Sequence, residues 1–139
     1  MKIQDDVIIN KILSLKRCVK RVEEEYAGQE VEFLKNYTKQ DSAILNILRA
    51  CELTLDIGNR IIKIKKLSIP QSNKEIFEIL CKDNLISSEI SEKLKNMVGF
   101  RNIATHDYQK LEEEILLSII KNNLVDFIDF INEISILKI

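Results

Sequence analysis

Apolar residues recur along most of the chain at steps of three and four. Ile8, Ile12, Leu15, Val19, Val22 and Tyr26 trace one stripe of a 3.6-residue period. Lys11, Lys16, Arg17, Lys20 and Arg21, then Glu23, Glu24 and Glu25, fill the other faces. This pattern predicts an amphipathic helix, which Gly28 can end. The signal returns from about Val31 to Lys66. Thr38 and Asp41 fit an S/T-x-x-D/E capping pattern. Ile44, Leu48, Cys51, Leu55 and Ile62 then form a stripe flanked by Ile47, Ile61 and Ile64. That helix must stop before Ile69-Pro70, because the residue preceding a proline is pushed out of the α region. Ser72 and Glu75 form a second capping pair, opening a short helix with Ile76, Phe77 and Leu80. After the polar break at Lys82-Asp83-Asn84, Ser87 or Ser88 caps another short helix holding Ile90, Leu94, Met97 and Val98. A last helix runs from about Glu112, with Ile115, Ile119, Phe127, Ile131 and Ile134 on one face. Leu116, Ile120, Leu124 and Ile128 widen it.

Three long amphipathic helices and two shorter ones, joined by short loops, predict an all-α antiparallel bundle of about five helices in one domain spanning residues 1–139. No stretch alternates as a strand would. The chain has only three Gly and one Pro, too few for the tight turns of a β sandwich or barrel. Several stripes are broad enough to bury one side in the bundle and the other in a second copy, so a homodimer is expected.

Charge narrows the partners. The formal net charge is −1, so no overall basic field draws the molecule to nucleic acid or anionic lipid, and any such site must be local. No apolar run reaches the ~20 residues of a membrane helix. Asp5 and Asp6 stand where a signal peptide would be basic and then apolar, which predicts a cytoplasmic protein with no membrane association. Cys18, Cys51 and Cys81 are odd in number, far apart and on apolar stripes. They read as small buried hydrophobes in a reducing compartment rather than disulfide or zinc ligands. Arg60, Lys63, Lys65 and Lys66 suit a helix C-terminus, and Glu112, Glu113 and Glu114 a helix N-terminus. Glycine-rich phosphate loops and the G-x-S-x-G and H-E-x-x-H signatures are absent.

One window remains, Gly99-Phe100-Arg101-Asn102-Ile103-Ala104-Thr105-His106-Asp107-Tyr108. It holds the only His of the chain, with Arg101 five positions before it and Tyr108 two after. Arginine offers a permanent planar fork for phosphate. Histidine moves a proton near neutral pH. Cleavage of RNA by its own 2′-hydroxyl needs a base, an acid and a cation for the charge growing on phosphorus, without an obligatory metal. On a continuous helix Arg101 and Tyr108 share a face, as do Asn102 and His106, whereas Arg101 and His106 stand about 140° apart. Those two converge only if the helix ends near Ala104-Thr105 or a second chain completes the site. The competing reading is a His that caps a helix end beside a surface Arg.

The window matches the R-x-x-x-x-H-x-Y motif, and the chain resembles the HepT-like branch of the HEPN superfamily, the toxin halves of bacterial toxin–antitoxin pairs. The likeness spans nearly the whole chain. Phe33-Leu34 with Asp41-Ser42-Ala43, the Ile69-Pro70-Gln71-Ser72 turn before Phe77, Leu85-Ile86-Ser87 and Gly99-Phe100-Arg101-Asn102 all resemble that family. Ile103-Ala104-Thr105 departs from its bulkier apolar residues. The resemblance implies a dimeric helical ribonuclease that needs no metal or other cofactor. Arg101 and His106 would be its catalytic pair and Asn102 a supporting polar residue. It also implies an MntA-like nucleotidyltransferase antitoxin that transfers AMP onto Tyr108. The alternative is a non-catalytic helical subunit or nucleotide-binding module of a nucleotidyltransferase.

Overall fold

Asp5 starts the first helix by two means. Its Oδ1 accepts from the Ile8 amide at 3.0 Å, and its carboxylate takes a fork from Arg60, with Nη2 at 2.8 Å and Nε at 3.3 Å. In this computed structural model, which describes residues 1–106 and 112–139, the fold is all helical. The described residues form α1 (Asp6–Tyr26), α2 (Glu30–Leu34), α3 (Tyr37–Lys65), α4 (Asn73–Lys82), α5 (Ser88–His106), α6 (Glu113–Asn122) and α7 (Leu124–Ile134). The expected all-α bundle is present, with seven helical segments in place of about five.

The differences are local. The long helix begins at Tyr37 with Asn36 as its cap, its Oδ1 accepting from the Lys39 amide at 3.0 Å, so Thr38 lies inside the first turn and does not cap it. Upstream, Glu30–Leu34 forms a separate short turn of helix whose Phe33 is buried. The helix carrying Leu94 and Val98 is long rather than short, at 19 residues. The last helix is interrupted at Asn123, whose Nδ2 donates to Asp126 Oδ2 at 3.0 Å. Such a local side-chain bond offers the backbone an alternative to continuing the helix. Ile115, expected on the inner face, is exposed, while Leu116, Ile119 and Ile120 are buried.

Other expected boundaries appear where the residues place them. Ala27 and Gly28 both adopt positive φ after α1, at 49° and 67°. Ser72 Oγ accepts from the Glu75 amide at 3.2 Å. Ser87, of the two candidate serines, caps α5 by accepting from the Ile90 amide at 3.1 Å, and it also bonds both oxygens of Glu133 on α7.

Packing follows the stripes. α1 lies along α3, α4 along α5, and α7 closes over α5 and α1. Ile8, Ile12, Leu15 and Val22 are fully or almost fully buried against Ile47, Ile57 and Ile61 within one core. Phe77 and Phe130 meet edge to face at 6.3 Å between centroids. Buried hydroxyl and amide side chains bond backbone carbonyls, whereas the buried Asp126 Oδ1 accepts no hydrogen bond among the described residues. Thr54 Oγ1 donates to the Ala50 carbonyl, Gln40 to Phe33 and Ser91 to Phe77. Asp126 is fully buried, with Lys93 3.7 Å from its Oδ1. The three cysteines are free, Cys18 and Cys51 buried and Cys81 half-buried. No helix among the described residues is long and apolar enough to cross a membrane.

Gly58 sets how closely α3 and α4 approach. A Cβ there would sit 2.6 Å from Ile76 Cγ2 and 3.4 Å from Leu80 Cδ1. Ile76 is buried and β-branched, so it has little freedom to turn away. Gly58→Ala is expected to destabilise the fold by about 1–2 kcal/mol, the overpacking cost exceeding the gain in helix propensity. Urea unfolding of wild type and variant measures the difference.

Asp5 yields a second expectation. The Arg60 fork, then the Ile8 amide, hold its carboxyl below the usual carboxylate range. A carboxyl lowered by folding stabilises the native state above its unfolded pKa, and that contribution is lost as pH falls through the folded value. The difference in Tm between wild type and Arg60→Ala should therefore be full at neutral pH and close as pH drops from about 4 toward 2. Thermal melts across that range test it.

Candidate active site

Arg101 occupies an unusual phase of α5. Leu94, Met97, Val98 and Ala104 form the buried stripe, and Arg101 falls three residues after Val98 and three before Ala104. The period that would place an apolar side chain against α3 places a guanidinium there instead. Its side chain is accordingly only 23% exposed, and its Nε donates to Oε1 of Glu52 on α3 at 2.5 Å. Nη1 donates to Asn102 Oδ1 at 3.2 Å. The next residue along, Asn102, is exposed. The structure thus joins two of the candidate residues, Arg101 and Asn102, and adds a third, Glu52, that the motif does not contain.

α5 is helical from Ser88 through His106. It does not end at Ala104-Thr105, so the positions of residues 101 and 106 stand about 140° apart around its axis. Of His106 the backbone alone is described, and Tyr108 lies outside the described residues.

Beside Glu52, α1 and α3 flank a groove of about 790 Å³. Arg17 and Arg21 of α1 face Arg49 of α3 across it, with Leu45, Leu48 and Leu53 between. Arg21 reaches Glu24 and Glu25 at 3.5 Å, while Arg17 and Arg49 make no ion pair among the described residues. Leu48, expected in the core stripe, is only half-buried because it lines this groove. The sequence did carry a signal for this face. Arg49, Glu52 and Asp56 step by three and four along α3, and an Arg in phase with an apolar stripe needs an acceptor on the opposing helix.

Cysteine chemistry is disfavoured here. Burial, reinforced by the neighbouring Glu52 charge, pushes the Cys51 thiol up to about 12, and burial also raises Cys18. Neither supplies a thiolate near neutral pH. Among the described residues, no group of three or more His, Cys, Asp or Glu side chains is arranged to hold a metal ion.

Known proteins share this architecture. The family model "Ribonuclease HepT-like" matches residues 15–134. An mRNA nuclease HepT of Shewanella oneidensis is 46% identical over 131 residues, covering 94% of this chain and 98% of the relative. A solved structure of a tri-AMPylated Shewanella oneidensis HEPN toxin, in complex with an MNT antitoxin, superposes with a TM-score of 0.90 at 45% identity. It covers 95% of this chain and 98% of that one. A cytosolic Bacillus subtilis protein of unknown function, YutE, shares the fold at TM-score 0.82 and 17% identity, over 96% of this chain and 90% of its own. The matched span and the near-complete coverage at this identity establish that the chain belongs to the ribonuclease HepT-like family.

Proposed function

We propose that the chain is a cytoplasmic endoribonuclease toxin that cuts RNA through Arg101 and His106 without a metal, and that works as a homodimer. The observation that carries this reading is the Arg-x4-His-x-Tyr spacing of the sequence, whose Arg101 and His106 fall on α5, in a chain 46% identical to an mRNA nuclease. In the reaction a base takes the proton of the 2′-hydroxyl, and its oxygen bonds to phosphorus. The bond from phosphorus to the 5′-oxygen breaks, and an acid protonates the leaving oxygen. One chain has one imidazole. Two copies facing one cleft supply two, one for each proton, and bring an Arg101 from one side toward a His106 from the other. That arrangement answers the 140° separation on a single helix. The guanidinium neutralises charge growing on the phosphoryl oxygens. Asn102 supports by accepting from Arg101. Arg17 and Arg49, which form no ion pair among the described residues, line the neighbouring groove and suit flanking phosphates.

The partner in this proposal is a nucleotidyltransferase antitoxin that adds AMP to Tyr108. The solved relative named above is an AMPylated toxin bound to such a protein. Adenylates on the phenol would place bulk and negative charge where an RNA phosphate must lie.

Two outcomes are expected. His106→Ala and Arg101→Ala should each lose RNA cleavage and growth arrest by at least about 100-fold while keeping the wild-type circular dichroism spectrum, and EDTA should leave wild-type cleavage unchanged. Full activity in His106→Ala would remove the assignment. Coexpression with the antitoxin should raise the intact mass in steps of one AMP, and Tyr108→Phe should abolish the gain. An unchanged wild-type mass would dismiss this mode of control.

A further inference from the structure

We infer that Glu52 is a positioning residue for RNA cleavage: it clasps Arg101 by the Nε edge and thereby presents the rest of the guanidinium to the phosphodiester. The inference rests on the ribonuclease assignment of Arg101 made above. Arginine has five N–H donors. Glu52 takes the one on Nε and Asn102 takes one on Nη1, which leaves the two of Nη2 and one of Nη1 for a phosphate. The clasp therefore orients the group without consuming it.

Stability is a poor reason for this pair. Glu52 is half exposed, and ion pairs open to water contribute little to folding. Positioning is a better one. A long side chain fixed before substrate arrives does not have to be ordered in the transition state. The anchor is itself firm, since Glu52 follows buried Cys51 and precedes buried Thr54 and Leu55 on the longest helix of the bundle. The clasp also works against ground-state binding, because a carboxylate beside the phosphate site repels it. Removing Glu52 should thus slow turnover and leave substrate binding equal or tighter, a combination that neither loss of folding nor loss of a substrate contact produces.

The test uses the full chain, purified with Tyr108 unmodified, on a fluorescent single-stranded RNA of mixed sequence. Glu52→Ala is expected to lower kcat about 10- to 100-fold with KM unchanged or reduced. Glu52→Gln keeps an acceptor for Nε and should recover kcat to within about threefold of wild type. Both should melt within about 2 °C of wild type. The Nε–H signal of Arg101 in nitrogen-edited NMR should be retained in Glu52→Gln and exchange away in Glu52→Ala. In an Arg101→Lys background, which lacks the clasped edge, Glu52→Ala should have no further effect. A wild-type kcat in Glu52→Ala beside an inactive His106→Ala would overturn the positioning role and leave the nuclease reading intact. A raised kcat would also overturn it, by showing that the carboxylate restrains Arg101. An active His106→Ala would instead bring down the nuclease reading and this inference with it.

Discussion

Everything in this molecule depends on burying the stripe of α1 against α3. The two longest helices present Ile8, Ile12, Leu15 and Val22 on one side and Ile47, Ile57 and Ile61 on the other, all with almost no exposure. Removing that much apolar surface from water is the dominant favourable term in holding such a bundle together. The pair also forms the frame on which the other elements register. α4 approaches α3 at Gly58, α5 meets it through Arg101 and Glu52, and α7 reaches back to α1. The ends of the chain join the same frame, since the Gln4 and Asp5 amides donate to an Ile139 oxygen and the Lys2 amide to the Ser135 carbonyl.

How far the residues alone foretell this arrangement varies with the kind of signal. The α1 stripe, the Ser72 cap and the stop before Pro70 rest on strong local rules, and they appear as expected. The break at Asn123 is invisible to periodicity for a definite reason. Ile120, Leu124, Phe127, Ile131 and Ile134 continue in steps of four and three across it, so the interruption leaves the apolar phase unchanged. Thr38 offers a competing capping pattern two residues after Asn36, which hides the true cap from a reading of the sequence. Both differences concern element boundaries and leave the class of the fold unchanged.

At the site, the motif residues are read directly from spacing, whereas Glu52 is not. A contact between residues 49 positions apart depends on how two helices are brought together, and no local rule encodes it. The phase of Arg101 was legible in principle: a charged residue within an apolar stripe requires compensation somewhere on the facing helix. Which of several carboxylates provides it is decided only by packing. Charge behaves in the same way. The net value of −1 conceals a groove where Arg17 and Arg49 face one another with no carboxylate ion pair among the described residues.

Because one end of the clasp belongs to α3 and the other to α5, the guanidinium acts as a gauge of the gap between two rods. Cys51, next to Glu52 on α3, and Val98, three residues before Arg101 on α5, line with Thr54, Met97 and Phe127 a core void of about 10 Å³. Interiors this tight transmit small displacements rather than absorbing them. A methyl group added or lost around that void would therefore shift Arg101 against Glu52 from below, so this hydrophobic floor bears on the candidate site as well as on folding.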